Sequence, residues 1–343
     1  MPGPLPEAEL LEAVDLAGDW SPLRGARLFI TGGTGFFGKW LLEVLGAAER
    51  TFALGLEAVV LSRDPARFCL AMPHLQGAPW LRFHPGDITA FRAPGGSFSH
   101  LIHGAGSSDA RENTRDPAAM RRTLVEGTHR LMEAMARQSA LRVLFLSSGA
   151  VYGPQPGGLT RIPDDHPVPD DPGARTPSQV YAQAKRESER IAASGSASSG
   201  FPCVRARCFT FAGPHLPLDQ HFAFGNFIGD ALAGRPIQIQ GDGTPLRSYL
   251  YASEMAAWLW ALALRGADTS YNVGSDQEIS IRTLAEAVSR QASVPVHLAQ
   301  SPVAGQEPSR YVPGIARMQM GMGISPVIGI QESIRRSLHW HRG

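Results

Sequence analysis

Arg27-Leu-Phe-Ile-Thr-Gly-Gly-Thr-Gly-Phe-Phe-Gly-Lys-Trp-Leu-Leu-Glu-Val-Leu45 reads as three pieces. Arg27 to Thr31 is a short β-rich run, Gly32 to Gly38 a glycine turn, and Lys39 to Leu45 has helical spacing. Gly32, Gly35 and Gly38 recur at every third position of the turn. Glycines permit a sharp bend and let the backbone approach a diphosphate, while the helix start offers free N–H groups and positive dipole. Gly32, Thr34, Gly35, Phe36, Phe37 and Gly38 are therefore candidates for holding a dinucleotide. An ordinary tight turn is the plain alternative, and the strand before and helix after weigh against it.

The same alternation continues outward. Glu57–Leu61, Trp80–Phe83, His100–His103, Leu141–Leu146 and Cys203–Arg207 read as strands. Met120–Gln138 and Ser178–Ala193 read as helices. Short apolar strands separated by helices predict an α/β fold with a mostly parallel, buried sheet. Gly153–Pro177 holds seven prolines and four glycines and reads as a long surface loop. Ser194–Gly200, SGSASSG, reads as a flexible connector. After Pro214, helical patterns at Asn226–Ala233, Ser253–Leu264, Ile281–Gln291 and Ile330–Leu338 mix with short strands, predicting a smaller second lobe.

Composition narrows the class. The 343 residues carry 32 Lys+Arg against 31 Asp+Glu, a net charge of +1, with 43% hydrophobic residues. That excludes a disordered chain and leaves no basic surplus for nucleic acid or anionic lipid. The most apolar run, Met255–Leu264, is half the length a bilayer requires, so no membrane partner is expected. Met1–Trp20 carries five acids and no Lys or Arg, unlike a secretory signal. Its Leu10, Leu11, Val14 and Leu16 predict a short helix packed on the body. Cys69, Cys203 and Cys208 show no paired spacing, which fits a reducing cytoplasm, and the histidines show no metal-ligand spacing.

The second strand ends in Ser62-Arg63-Asp64, where folds that prefer NAD usually place an acid on the ribose. A hydroxyl and a guanidinium suit a 2′-phosphate instead, so Ser62 and Arg63 favour NADP(H), with NAD left open. Asp87 and Ile88 follow the third strand at the adenine end, and Gly104, Ala105 and Gly106 end the fourth with small residues. Tyr181 and Lys185 stand four apart on one helical face. A free phenol, with a pKa near ~10, is a weak acid–base group at neutral pH, and a nearby Lys⁺ would lower it. Ser148, at a strand end, would hold the substrate oxygen beside the phenol. His221 and Asn226 precede and open a helix of the second lobe, where they could meet a nucleotide.

These motifs, together with Arg207–Pro214 and Gly241–Ser248, give the chain a resemblance to extended short-chain dehydrogenases/reductases of the nucleotide-sugar epimerase/dehydratase type. The resemblance spans about residues 25 to 340 and is specific at the level of the superfamily. It implies a Rossmann-type doubly wound parallel sheet with a smaller mixed α/β substrate lobe. Its limits would be an N-terminal extension at 1–24, a dinucleotide domain at 25–212, and a substrate lobe at 213–343 that returns segments to the first. It implies Ser148, Tyr181 and Lys185 as the catalytic set, Phe209 beside the nicotinamide and Arg247 on the substrate diphosphate. Ser107, Gly149 and Thr210 would face the substrate, a nucleotide-diphosphate sugar, and a homodimer is typical.

The departures sharpen the expectation. The family's dehydratases follow the catalytic hydroxyl with Asp-Glu, and its decarboxylases carry a nearby Glu; Gly149 and Ala150 stand here. Thr210 replaces the usual Asn, and Ser248 the Asp after the phosphate arginine. The resulting expectation is an NADP(H)-dependent reductase of a 4-keto nucleotide sugar. A 4-epimerase with tightly held NAD is the alternative, and a non-catalytic dinucleotide-binding protein a third.

Overall fold

The computed structural model describes residues 3–106, 110–136, 141–170, 173–303 and 305–343. Six strands lead the fold: β1 (Arg27–Thr31), β2 (Glu57–Ser62), β3 (Leu81–Pro85), β4 (His100–His103), β5 (Arg142–Ser148) and β6 (Cys203–Cys208). A seventh, Ser270–Val273, comes back from the C-terminal part to pair with β6. The sheet order is β3-β2-β1-β4-β5-β6 and then Ser270–Val273, every pair parallel. Leu28, Phe29 and Ile30 are buried together, as a strand covered on both faces requires. The order reverses between β1 and β2 on one side and β4 on the other, and a doubly wound sheet binds its ligand at the carboxyl ends beside such a point.

Helix α1 (Glu7–Ala17) packs on α2 (Phe36–Phe52) and on the helix Ala252–Arg265. Leu10 and Val14 face inward, whereas Leu11 is 42% exposed, so the inward stripe is narrower than the sequence suggested. Glu9 accepts from the Tyr251 hydroxyl at 2.9 Å and Glu12 from Arg336 at 2.9 Å, joining the amino-terminal helix to the far end of the chain. The apolar run Met255–Leu264 lies wholly inside the buried helix Ala252–Arg265. No helix among the described residues is long and apolar enough to cross a membrane.

Two helical expectations change. The helix expected at Met120–Gln138 is Pro117–Arg121, a π-turn at Arg122–Glu126, and Gly127–Met135; Gln138 lies outside the described residues. The Leu124 carbonyl in that π-turn accepts the Thr128 hydroxyl at 2.5 Å, and the Ser188 hydroxyl lies 2.8 Å from both it and the Ala184 carbonyl, which offers it partners outside the helical ladder. The expected connector Ser194–Gly200 is instead the last turn of the helix Pro177–Ser199, closed by Gly200 in the left-handed region. Small residues are there because two helices meet: a Cβ on Gly195 would stand 3.1 Å from Met132, and Ser196 is fully buried. That helix starts on a capping box between Thr176 and Gln179, with Pro177 in its first turn.

A separate apolar core gathers Phe224, Phe227, Leu284, Val288, Ile334 and Leu338, from three helices after residue 222.

Candidate active site

The glycine turn is built for close approach. Gly32 sits at φ +74, and a Cβ there would lie 2.3 Å from the Gly104 carbonyl oxygen. A Cβ on Gly38 would lie 2.2 Å from Gly33, so turn and helix touch backbone to backbone. On Gly35 a Cβ would meet only the Gly32 carbonyl, at 3.6 Å, leaving open space before the helix. Gly35 caps α2 without any side-chain hydrogen bond, so the amides of Phe36, Phe37 and Gly38 have neither a side-chain cap nor a helical acceptor, the ladder beginning with Lys39 on the Gly35 carbonyl. The rings of Phe36 and Phe37 turn away from the amides and pack on Phe211, with centroids 6.4 and 5.3 Å from it. This turn offers a diphosphate open space and unpaired donors.

At the end of β2, Ser62 is buried and accepts from the Asp64 amide at 3.2 Å. Asp64 caps the helix Pro65–Ala71, its Oδ1 accepting from the Arg67 amide at 3.0 Å. Arg63 is exposed. Asp87 accepts from the Thr89 hydroxyl at 2.6 Å and amide at 2.9 Å; these bonds, with Arg63 a smaller contribution, hold its carboxyl below the usual range. The Ile88 side chain is buried against Gly127.

The small-residue end of β4 is held by a relay. Thr31 Oγ1 and His103 Nδ1 are 2.7 Å apart, and His103 Nε2 and Thr128 Oγ1 are 2.8 Å apart. Because Thr128 donates its hydrogen to Leu124, it must accept from Nε2–H, and Nδ1 then accepts from Thr31. Burial drives His103 down to about 3, so the ring stays neutral in that tautomer. Thr31 Oγ1 also accepts the Ala105 amide at 3.3 Å, and Gly106 lies against Leu124 of the π-turn. His103 is thus structural, and Ser107 lies outside the described residues.

Ser148 ends β5 level with Cys208 of β6, and its Oγ accepts the Ala150 amide at 3.2 Å. Tyr181 lies beside Ser148, whose hydroxyl favours the phenolate. Lys185 donates to the Leu146 carbonyl at 3.0 Å, which anchors the catalytic-helix candidate against β5. Burial pushes the Tyr181 phenol up to about 12, against a smaller lowering by Ser148. The lowering expected from Lys185 does not arise: burial sets the direction, with Ser148 and Cys208 the smaller contributors. Burial brings Lys185 itself down to about 8, against the pull of Cys208 and Glu189.

Phe209 is buried beside Gly149: a Cβ on Gly149 would fall 2.7 Å from its ring and 2.6 Å from the hydroxyl of Tyr311. Arg247 lies on the strand Leu246–Ser248, donating to the carbonyls of Leu246 at 2.7 Å and Ser309 at 3.2 Å. Thr210 donates its hydroxyl to the Ser248 carbonyl, so that hydrogen serves the strand connection and not a substrate. His221 is exposed, its ring 4.0 Å from Phe222, and Asn226 is half-buried in the helix Ala223–Leu232. No group of three or more metal-ligating side chains occurs among the described residues.

The proline-rich loop is more than surface. Ile162 is fully buried and pairs with Pro313, and Asp164 accepts from the amides of Asn272 at 2.7 Å and Arg317 at 3.0 Å. Two elements went unsignalled in the sequence. One is Tyr311, placed by a two-residue strand with no readable period. The other is the pair Glu189–Arg207, bonded at 3.1 and 2.9 Å. Glu189 could have been found: it continues the four-residue spacing from Tyr181 and Lys185 on one helical face.

The model of the NAD dependent epimerase/dehydratase family matches residues 28–274. UDP-glucuronic acid decarboxylase 1 of Xenopus tropicalis is 24% identical over 71% of this chain, which spans 56% of that protein's length. UDP-glucuronic acid decarboxylase 3 of Arabidopsis thaliana is 27% identical, with 92% of this chain and 90% of the relative covered. Among solved structures, RMD from Pseudomonas aeruginosa complexed with NADPH aligns with a TM-score of 0.73 and 25% identity, covering 92% and 99% of the two chains. DesIV, the dTDP-glucose 4,6-dehydratase of Streptomyces venezuelae with NAD and TYD bound, aligns with a TM-score of 0.76 and 22% identity, covering 92% and 97%.

Proposed function

Because the chain belongs to the NAD dependent epimerase/dehydratase family, we propose that it reduces a 4-keto group on a nucleotide-activated sugar, with Tyr181 as proton donor. The observation that carries this reading is at Ser148. A hydroxyl and a phenol lie together there, with the Lys185 ammonium on the Leu146 carbonyl of the same strand, while Gly149, Ala150, Phe209 and Tyr311 bring no carboxylate to its flank. Carbonyl reduction needs one acid and a place for the oxygen. Elimination or decarboxylation needs a further acid–base side chain, which none of these four residues supplies.

Residues 25–212 would hold the dinucleotide and much of 213–343 the sugar nucleotide. The uncapped start of α2 and the space before Gly35 fit a diphosphate, and the nicotinamide would supply the hydride when bound. Ser148 would hold the carbonyl oxygen, Tyr181 would give it a proton, and Lys185 would hold the ribose and favour the phenolate left behind. Arg247 would meet the substrate diphosphate, with His221 and Asn226 towards the nucleotide.

NADPH is the favoured partner. Asp64 is engaged as a helix cap, and Arg63 stands exposed at the end of β2, free of an acid in the ribose position. RMD, the relative solved with NADPH, supports this choice, while DesIV carries NAD. Losing one charge-assisted contact costs about 1.5–3 kcal/mol. Arg63→Ala should therefore lower the NADPH-to-NADH ratio of kcat/KM by roughly 10- to 100-fold, read from initial rates with each cofactor. An unchanged ratio would remove Arg63 from the 2′-phosphate.

The activity is tested by mixing the protein with NADPH and a dTDP-, CDP- or UDP-4-keto-6-deoxysugar and following the reduced cofactor. Loss of NADPH in step with the sugar is the expected result. Sugar isomerisation with no net change of cofactor would replace the reductase by a 4-epimerase. Binding without turnover, indifferent to Tyr181→Phe, would leave a non-catalytic dinucleotide-binding protein.

A further inference from the structure

Tyr311 comes from a stretch with no recognisable motif, and its ring ends at Ser148. The strand Arg310–Tyr311 pairs with Leu246–Ser248 so that Tyr311 stands level with Arg247. Its ring stacks on Phe209 with centroids 4.6 Å apart and planes 31° apart. The loop strap behind it is fixed: the Ile162 amide donates to the Val312 carbonyl at 2.9 Å, and the Gly314 amide to the Ile162 carbonyl at 2.7 Å. Its hydroxyl fills the space that any side chain on residue 149 would need. The Ser148 hydroxyl lies close to two phenols, Tyr181 on the helix and Tyr311 on the strand, and favours the ionised form of each.

A hydroxyl has one hydrogen and two lone pairs. One Ser148 lone pair takes the Ala150 amide at 3.2 Å. We propose that Tyr311 is a positioning residue whose O–H donates to the second lone pair, so that the single Ser148 hydrogen points to Tyr181 and the substrate oxygen. Tyr181 then has no acceptor at Ser148, and its own hydrogen is kept for the substrate. Burial keeps Tyr311 protonated, above the ordinary phenol range, so it acts as a donor at neutral pH. Gly149 is what admits it: with a larger residue there, Tyr311 could not reach Ser148. This inference rests on Ser148 and Tyr181 as the proton-handling pair, and not on which sugar is turned over.

Tyr311→Phe keeps the stacked ring and removes the hydroxyl. The probe is carbon-13 at tyrosine Cζ, read by NMR at neutral pH on the full chain with oxidised cofactor, with the Tyr181 signal identified by its loss in Tyr181→Phe. A phenol that gains donor character moves downfield. The Tyr181 signal should move downfield in Tyr311→Phe, and the same substitution in a Ser148→Ala background should leave it in place. In the reduction assay kcat should fall roughly tenfold with KM little changed. An unmoved signal in Tyr311→Phe overturns the proposal, as does an equal movement without Ser148. If no 4-keto sugar is reduced by the unaltered protein, the reductase reading fails while the NMR comparison still decides the role of Tyr311.

Discussion

Tyr181→Phe is expected to lower kcat/KM for the 4-keto sugar by roughly 10²- to 10⁴-fold, with NADPH affinity unchanged in a binding titration. The size follows from what is lost, a positioned acid at the moment the carbonyl oxygen gains charge. Tyr311 cannot stand in, because its ring is stacked on Phe209 and its hydroxyl is held against Gly149. The pH profile adds a second reading. Tyr181 ionises only near 12 in the free protein, so it remains a donor across the working range. Lys185 ionises near 8 and faces Cys208 and Glu189, with Cys208 itself raised to about 12 by burial. In the proposed reaction Lys185 would favour the phenolate through its charge, which it loses as pH rises through about 8, so kcat/KM should decline there and not at the phenol's own pKa. A loss below about tenfold in Tyr181→Phe, or a profile flat through pH 8 to 9, would remove these residues from the proton transfer.

The parts of this site that local pattern controls were readable in the sequence. The glycine turn carries its meaning in three residues and their flanks, and β1, β4 and β6 lie within a residue of their expected limits. Tyr181 and Lys185 share a face because helical periodicity says so. What escaped depends on distant neighbours. SGSASSG has the composition of a linker, and becomes helix because Met132 demands small residues opposite it. The π-turn has at its Leu124 carbonyl hydroxyls from two helical segments, Thr128 and Ser188, that no local pattern brings together. The proline-rich loop has no period, yet Asp164 is buried through Asn272 and Arg317. The direction of the Tyr181 shift also escaped, since spacing reveals a charge four residues away but not how much water burial removes.

Glu189→Ala should cost about 3–5 kcal/mol of folding stability, read from the denaturant midpoint at constant slope. Glu189 and Arg207 have side chains 9% and 10% exposed, and the guanidinium binds the carboxylate through two nitrogens at 3.1 and 2.9 Å. Burial alone would lower the Arg207 pKa, but hydrogen bonds and charge from Glu189 outweigh it and hold the guanidinium charged. Removing the acid leaves that charge buried with only the Tyr152 hydroxyl, at 2.9 Å, as side-chain partner. Tyr152 donates in turn to Asn272 at 2.8 Å, and the Asn272 amide is held by Asp164, so the damage would spread into the loop strap. The companion variant discriminates between a lost attraction and a stranded charge. Glu189→Leu with Arg207→Met removes both charges and should regain most of the stability, because desolvating two ions costs nearly what their attraction returns. A double variant no better than Glu189→Ala would mean that the bidentate geometry itself holds the helix Pro177–Ser199 on β6. A single variant costing less than about 1 kcal/mol would mean that water reaches Arg207 once Glu189 is gone, and the catalytic helix would owe its place to Lys185 on Leu146 and Arg186 on the Val151 carbonyl.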